Sequence, residues 1–341
     1  MNIDSLPILS DPQAMRLDPA EPVDIVYCWV TDNTDFQRER LRWLPPEFKN
    51  DDAAGNQRYR EMDELRHSLR SVEKYAPWVR KIFIVTNGQI PQGLNFAHPR
   101  LQLVSHSEIF PTKQYLPTFS NRPVTSCLHR IPGLARWFLF FNDDVFLGAP
   151  LKLSNLYFDD SGKQKVMLSS IPTGKFNNLH IQAAKNTVRL VNFCFNSSNP
   201  VYPILHIPFL LNRDVLFALE DMFKDEYDKL RNRRFRTEQD ILIELLYAHI
   251  LLARKSFSVS LWSYRDKHNE YISLRNDYLP LGMIRMMRAV FNLARHRPEF
   301  ICVNDEMSDN TNLWARLQMF FLRLFYRLYY PQPSSWELTN E

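Results

Sequence analysis

Short apolar runs alternate, in the first half of the chain, with stretches whose apolar positions recur every three or four residues. Residues 23–30, 81–86 and 101–105 form three such runs, and Trp137-Phe-Leu-Phe-Phe141 forms a fourth. Each is too short for a buried helix and rich in β-branched or aromatic residues, so each is predicted as a strand. Between the first two, Met62, Leu65, Leu69, Val72 and Tyr75 stand at helical spacing, and Pro77 closes that helix. A short helix near residues 123–130 precedes the Trp137 strand. Strand alternating with helix is the pattern of an α/β fold with a parallel sheet.

The second half reads differently. Beyond the leader at residues 1–22 and the α/β part, residues 151–204 show weak periodicity and are expected to be an insertion that shapes a substrate pocket. Asn212 or Asp214 can cap a helix carrying Leu216, Leu219, Phe223, Tyr227 and Leu230, and Thr237-Glu-Gln-Asp240 has the form of a capping box before Ile241–Leu246. These two helices flank Arg233, Arg234 and Arg236. Phe300-Ile-Cys-Val303 is a further apolar run, and residues 311–329 read as an aromatic-rich helix. In that helix Trp314, Phe320, Phe321, Leu324, Phe325 and Leu328 interleave with Arg316, Arg323 and Arg327. The stripe reads first as core-facing. The alternative is an interfacial helix near a lipid-linked acceptor.

Polar residues collect where strands end: Asn142-Asp143-Asp144, Asp32 and Asp35 in Thr31-Asp-Asn-Thr-Asp35, the turn Asn87-Gly88, and Asn304-Asp305-Glu306. In open α/β sheets ligands bind beyond the carboxyl ends of the strands. Two carboxylates about 4 Å apart repel by roughly 4 kcal/mol at an effective dielectric near 20, so both remain ionised comfortably only beside a cation. Mg²⁺ or Mn²⁺ suits an all-oxygen site. Turns in which Asn and Asp cap a neighbouring element are the structural alternative.

Composition narrows the field. With 45% hydrophobic residues and 13% aromatics in 341 residues, a mainly disordered protein is excluded. The net charge of +4, from 42 basic against 38 acidic residues, is too balanced for a general nucleic-acid binder. Cys28, Cys127, Cys194 and Cys302 form no CxxC pair and read as unpaired thiols of a reducing compartment. Gly88 and Gly93 have P-loop spacing but are followed by Leu94-Asn95, where that motif needs Lys and Ser or Thr. The amino terminus has no signal-peptide pattern and no apolar stretch reaches about 20 residues. A cytoplasmic protein is expected.

Together, Asp24-Ile-Val-Tyr-Cys-Trp-Val30, Glu64-Leu-Arg-His-Ser-Leu-Arg-Ser71, Ala76-Pro-Trp-Val79, Ile84-Val-Thr-Asn-Gly-Gln-Ile-Pro91 and Asn142-Asp-Asp144 resemble the Stealth family. Further matches are Leu116-Pro-Thr-Phe119, His129-Arg-Ile131, Leu205-His-Ile-Pro208, Phe235-Arg-Thr-Glu-Gln-Asp240, Phe300-Ile-Cys-Val-Asn-Asp305 and Pro331-Gln-Pro-Ser-Ser-Trp-Glu337. That family includes bacterial capsule-polysaccharide phosphotransferases and the catalytic part of the animal lysosomal-enzyme N-acetylglucosamine-1-phosphotransferase. The resemblance implies one catalytic domain over residues 23–338, with an α/β part at 23–150 and a helical part with a closing motif at 205–338. The implied core is Rossmann-like and nucleotide-sugar-binding, of the GT-A-like type.

The implied reaction moves a hexose 1-phosphate from a nucleotide diphosphate sugar to a hydroxyl of a carbohydrate or lipid-linked glycan, releasing a nucleoside monophosphate. A metal-dependent glycosyltransferase and a non-catalytic sugar-binding module are the alternatives. The resemblance favours Asp144, with Asp143, as ligands of Mg²⁺ or Mn²⁺. It leaves Asp32 or Asp35 as the functional acid after the first strand. His206 is implied as metal ligand or general base, and Arg236 as the cation on the donor phosphates. Asn87, Asn304 and Asp305 are candidate substrate contacts. Arg130, beside His129, either contacts donor phosphate or forms an ion pair that locks a helix. Two departures stand out: Thr125 where relatives often carry Glu, and Phe209 where some carry a second His. Peripheral association with the inner face of the cell membrane is the expectation that goes with the interfacial reading of the last helix.

Overall fold

A computed structural model describes residues 15–18, 20–46, 59–170, 178–253, 258–262, 268–274, 279–307 and 313–338, with Ile8 and Gly55. Most of the 1–22 leader lies outside the described residues. In chain order the main elements are β1 Val23–Cys28, α1 Thr34–Trp43, α2 Glu64–Tyr75, β2 Ile82–Thr86, β3 Leu101–Ser105, α3 Asn121–Thr125, β4 Trp137–Asn142 and β5 Val145–Leu147. They continue with β6 Lys165–Ser169, α4 Leu179–Phe195, β7 Phe209–Asn212, α5 Arg213–Met222, α6 Lys224–Arg231, α7 Ile243–Ala253, β8 Ser258–Trp262, β9 Asn269–Leu274, α8 Leu279–His296, β10 Phe300–Asp305 and α9 Leu313–Tyr329.

The class is α/β, with a mostly parallel mixed sheet. Its five strands lie in the order β3-β2-β1-β4-β7, and only β7 runs antiparallel. Burial on both faces explains the continuous apolar runs: Ile25, Val26, Tyr27, Ile82, Phe83, Ile84, Phe138 and Leu139 are fully buried. A second sheet, β5-β10-β9, is mixed, and a third pairs β6 with β8 in parallel. Helix α2 joins the first two sheets. Tyr27 Oη and Ser68 Oγ lie 2.7 Å apart, Ser68 Oγ donates to the carbonyl of Val145, and Leu147 N–H donates to Ser71 Oγ at 2.9 Å.

Several expected boundaries change. β1 ends two residues early, at Cys28, and the segment near 123–130 is α3 followed by a separate 3₁₀ turn, Leu128–Arg130. Asn212, not Asp214, caps α5, accepting from the N–H groups of Asp214 and Val215. The expected single helix is two, because Phe223 leaves helical geometry (φ −114°, ψ 33°) between α5 and α6. The capping box is not formed: α7 starts at Ile243, and Asp240 instead accepts from Thr237 and from buried Arg122 at 2.6 Å. Thr237 and Asp240 thus lock the loop that carries Arg236. The stretch without clear periodicity is folded into the main core through Val166, Leu168, Ala183, Ala184, Val188 and Val191. In α9 the core-facing residues are Ala315, Gln318, Leu322 and Tyr326, whereas Phe320, Leu324 and Leu328 face outward. The core-facing assignment of those three is corrected. All four cysteines are free thiols.

Glu220 of α5 organises a buried charged cluster outside the lining of the large cavity. It accepts from His129 Nε2 at 2.6 Å, from Arg130 Nε and Nη2 at 3.0 and 2.9 Å, and from Arg231 Nη1 at 2.5 Å. Arg231 continues to the side chain and carbonyl of Ser126 beside α3. Burial raises the Glu220 carboxyl, but the hydrogen bonds from His129, Arg231 and Arg130 outweigh it and hold the group well below the usual carboxylate range. Burial keeps His129 below its ordinary value, so its neutral ring donates. A carboxyl depressed in the native state contributes its stability above the unfolded value near 4.3 and loses it as pH falls through the native one. Glu220→Gln is therefore expected to lower unfolding free energy by on the order of 3 kcal/mol at pH 7, by stranding buried Arg231. In denaturant titrations the gap to the parent chain should narrow below about pH 4. An equal gap at both pH values would contradict this role.

Candidate active site

Cys28 of β1 is in register with both Val85 of β2 and Asn142 of β4, so three strands end level. The chain leaves β1 toward β2 on one side and returns as β4 on the other, which opens a crevice at the carboxyl ends. A cavity of about 710 Å³ lies there. Asp143 and Asp144 form its acidic wall on the two-residue turn between β4 and β5.

That turn is pinned from two directions. Val303 N–H of β10 donates to the carbonyl of Asp144 at 2.9 Å, while Ser68 of α2 holds the next carbonyl, that of Val145. The carboxylates have little compensation. Burial, then Asp144, then Glu61 push the Asp143 carboxyl well above its ordinary range. Burial also raises Asp144, against the pull of His206 and of the Cys302 thiol, whose Sγ donates to Oδ2 at 3.7 Å. Oδ1 of Asp144 is buried without a hydrogen-bond partner among the described residues. Glu64, at the start of α2, is raised by burial, Glu61 and Asp143 in turn. Such crowded negative charge fits a cation. Among the described residues no group of three or more His, Cys, Asp or Glu side chains is gathered as a ready-made metal site.

Basic and polar groups supply the other walls. Arg236 lines the cavity and donates to Asn121 Oδ1 at 2.8 Å. Its loop is fixed by Arg122, which binds Asp240 and, at 2.9 Å, the carbonyl of Leu179, and by stacking of Phe119 on Phe235 at 5.0 Å. Arg60 enters from the segment before α2 and pairs with Asp305 at 2.6 Å. Asn304 donates to Tyr271 Oη at 2.6 Å and to Glu306 at 3.3 Å. The Tyr271 ring lies 5.4 Å from that of His206, with His180 at 6.3 Å on the other side.

Asp143, Asp144, His206, Arg236, Asn87, Asn304 and Asp305 are therefore brought together around one cavity. Asp305 is engaged by Arg60 and by the N–H of Met307, so it orients the guanidinium and has little left for a ligand. Three candidates do not converge. Because β1 stops at Cys28 and Asn33 caps α1, neither Asp32, which is half-buried, nor the exposed Asp35 is among the cavity-lining residues. Asp32 accepts from Gln37 at 2.8 Å, and Asp35 is 91% exposed in an ion pair with Arg38. Arg130 is not among the cavity-lining residues and is held by Glu220, which is the ion-pair alternative. Thr125 lines the cavity but turns its hydroxyl back to the carbonyl of Arg122 at 3.0 Å.

Sequence reasoning missed Arg60, Glu64, His180, Glu244 and Tyr271, all of which line the cavity. Glu244 had a usable signal: it is the only charged residue in Ile243-Glu-Leu-Leu-Tyr-Ala-His-Ile-Leu-Leu-Ala253. A carboxylate that survives in an all-apolar helix faces something polar. Burial raises its carboxyl, with Arg122 and Arg236 opposing. Arg60 and Tyr271 carried no such mark, since their roles depend on the second sheet.

Comparison with known proteins follows the same residues. Profiles described as Stealth protein conserved regions 2, 3 and 4 match residues 58–166, 205–252 and 291–341. An exopolysaccharide phosphotransferase of Streptomyces coelicolor is 37% identical over 326 residues, covering 93% of this chain and 51% of that protein. A capsular polysaccharide phosphotransferase of Haemophilus influenzae is 29% identical over 313 residues, covering 89% and 84%. One of Neisseria meningitidis serogroup A is 30% identical over 329 residues, covering 92% and 57%. The chain thus spans about half the length of the Streptomyces relative. Among solved structures, a bifunctional glycosyltransferase aligns over 93% of this chain and 53% of its own at 13% identity and a TM-score of 0.41. A galactosyltransferase with donor and acceptor sugar analogues aligns over 88% and 95% at 11% identity and a TM-score of 0.40. The conserved-region matches hold, in order, the Asp143–Asp144 turn, His206 with Arg236, and Asn304 with Asp305, and the chain belongs to the Stealth protein family.

Proposed function

We propose that this chain transfers a hexose 1-phosphate from a nucleotide diphosphate sugar to a carbohydrate hydroxyl, in capsule or exopolysaccharide synthesis. The observation that carries the reading is the cavity itself: paired carboxylates stand on one wall and Arg236 on another, with His206 within electrostatic reach of Asp144. The relatives are phosphotransferases of capsular and exopolysaccharides, which supports the same class of chemistry.

Asp143 and Asp144 would hold Mg²⁺ or Mn²⁺, which supplies positive charge against the donor diphosphate. Arg236 binds phosphate oxygens through its planar fork, and Arg60, kept in place by Asp305, adds a second positive charge to the wall. His206 takes the proton of the acceptor hydroxyl through a ring nitrogen. The acceptor oxygen then bonds to the phosphorus attached to the sugar's anomeric oxygen, and the bond from that phosphorus to the bridging oxygen breaks. Nucleoside monophosphate leaves with the bridging oxygen. Phosphoryl transfer needs little covalent work from the protein, so in-line positioning and charge are the main contributions. Asn304, Tyr271 and Glu306 form a hydrogen-bonded set beside His206 that suits sugar hydroxyls.

Asp144→Asn removes charge with little change of volume, and is expected to retain the fold while lowering turnover by at least about 100-fold. Near-parental turnover would exclude Asp144 from the reaction. His206→Ala and Arg236→Ala should each lower turnover by roughly 10²–10⁴-fold, with melting temperatures within a few degrees of the parent. Unfolding of either variant would instead assign that residue to structure.

Product identity separates the leading reading from its alternatives. With a competent donor, acceptor and Mg²⁺, nucleoside monophosphate should be released, phosphorus should remain in the product, and chelator should abolish both. Stoichiometric nucleoside diphosphate with a phosphorus-free glycoside would identify a glycosyltransferase. Donor binding without turnover across a broad acceptor panel would identify a binding module.

A further inference from the structure

Helices α8 and α9 lie on the second sheet and meet in one core cluster. Ala289 and Leu293 enter it from α8, and Ala315, Leu322 and Tyr326 enter it from α9. Their outward faces are unusual for a surface. Phe320 is 61% exposed and Leu328 73% on α9, while Met287 is 67% and Phe291 60% on α8. The exposed stripe of α9 also carries Arg316, Arg323 and Arg327 at intervals of seven and four residues, the repeat that keeps side chains on one side of a helix. Neither helix contains an aspartate or glutamate in its whole length, although the chain is nearly balanced in charge. Among the described residues no helix is long and apolar enough to cross a membrane.

We propose that this face docks the protein on an anionic lipid surface, with α8 and α9 lying in the headgroup plane. The charge pattern selects the partner. A helix with apolar residues and arginines on the same exposed side, and no acid, is complementary to a surface that offers negative headgroups above an apolar layer. A soluble polyanion would satisfy the arginines but leave Phe320, Leu328, Met287 and Phe291 in water, so it fits less of the face. A second copy of this chain would bring arginine against arginine. The position in the fold agrees with a lipid-linked acceptor: α9 comes next after β10, which carries Asn304 and Asp305 into the cavity, and α8 comes next after β9, which carries Tyr271. The inference needs no turnover, so it stands or falls apart from the proposed transfer reaction.

The test is sedimentation of the full chain with vesicles of phosphatidylcholine alone and of phosphatidylcholine with 30% phosphatidylglycerol. At low salt, binding to the anionic vesicles should be at least tenfold tighter, and should weaken strongly at 0.5 M salt, where exposed charges are screened. The variant Arg316→Glu/Arg323→Glu/Arg327→Glu should lose at least tenfold in vesicle affinity. The variant Phe320→Ser/Leu328→Ser should lose a comparable amount. Because the substituted side chains point outward, both variants should melt with the parent and keep the parent's secondary structure. Absence of binding to anionic vesicles by the parent, or parental binding by both variants, would overturn the proposal. So would lipid-free dimerisation abolished by the same substitutions, which would assign the face to self-association. Polyanion binding that ignores Phe320→Ser/Leu328→Ser, with no vesicle binding, would assign it to a soluble anionic chain.

Discussion

Two residues separate the last position of β4 from the first of β5, and those strands belong to different sheets. The chain therefore passes from a mostly parallel sheet into a mixed one through Asp143 and Asp144, with no slack. Everything else in the cavity is placed relative to that joint. β10 can bring Asn304 and Asp305 to the acids because Cys302 pairs with Val145 directly after the turn. Helix α2 fixes the angle between the sheets through two serine hydroxyls, since Ser68 and Ser71 reach backbone groups of β5. Buried hydroxyls used this way are satisfied polar groups that also specify one arrangement of the core.

Charge at the joint follows from the same packing. Burial raises the Glu64, Asp143 and Asp144 carboxyls, and neighbouring acids add to it, Glu61 and Asp143 at Glu64, and Asp144 and Glu61 at Asp143. A second centre carries the opposite solution, with Glu220 surrounded by Arg130, Arg231 and His129. One acid centre is closed by its own cations and is structural. The other is left open toward a cavity. Buried acids alone do not distinguish the two, but the presence or absence of built-in countercharge does.

Legibility in the sequence tracks how local each cause is. β1, β2, β3 and β4 were readable because strands buried on both faces need uninterrupted apolar runs, and the Asp143–Asp144 turn was readable because it follows such a run. Phe223 was not readable as a break, since it satisfies helical spacing while its backbone departs from the helix. Asp32 and Asp35 looked like site residues because the strand was read two residues too long and the cap at Asn33 was not weighed. The β5-β10-β9 sheet was invisible: its pairing joins residues 145–147 to 300–302 and 269–274 to 300–305, separations that no local period records. Arg60 and Tyr271 became site residues only through that sheet.

The wall formed by Asn178 and His180 hangs on α4, and α4 is fastened mainly to α7 and to the loop around Asp240. None of the hydrogen bonds that fix the Asp143–Asp144 joint passes through it. Replacement of side chains on α4 that face the cavity therefore reshapes the chamber without loosening the joint. The architecture keeps a fixed joint and a separately anchored wall in one core, so the shape of the chamber can change while the acids stay where they are.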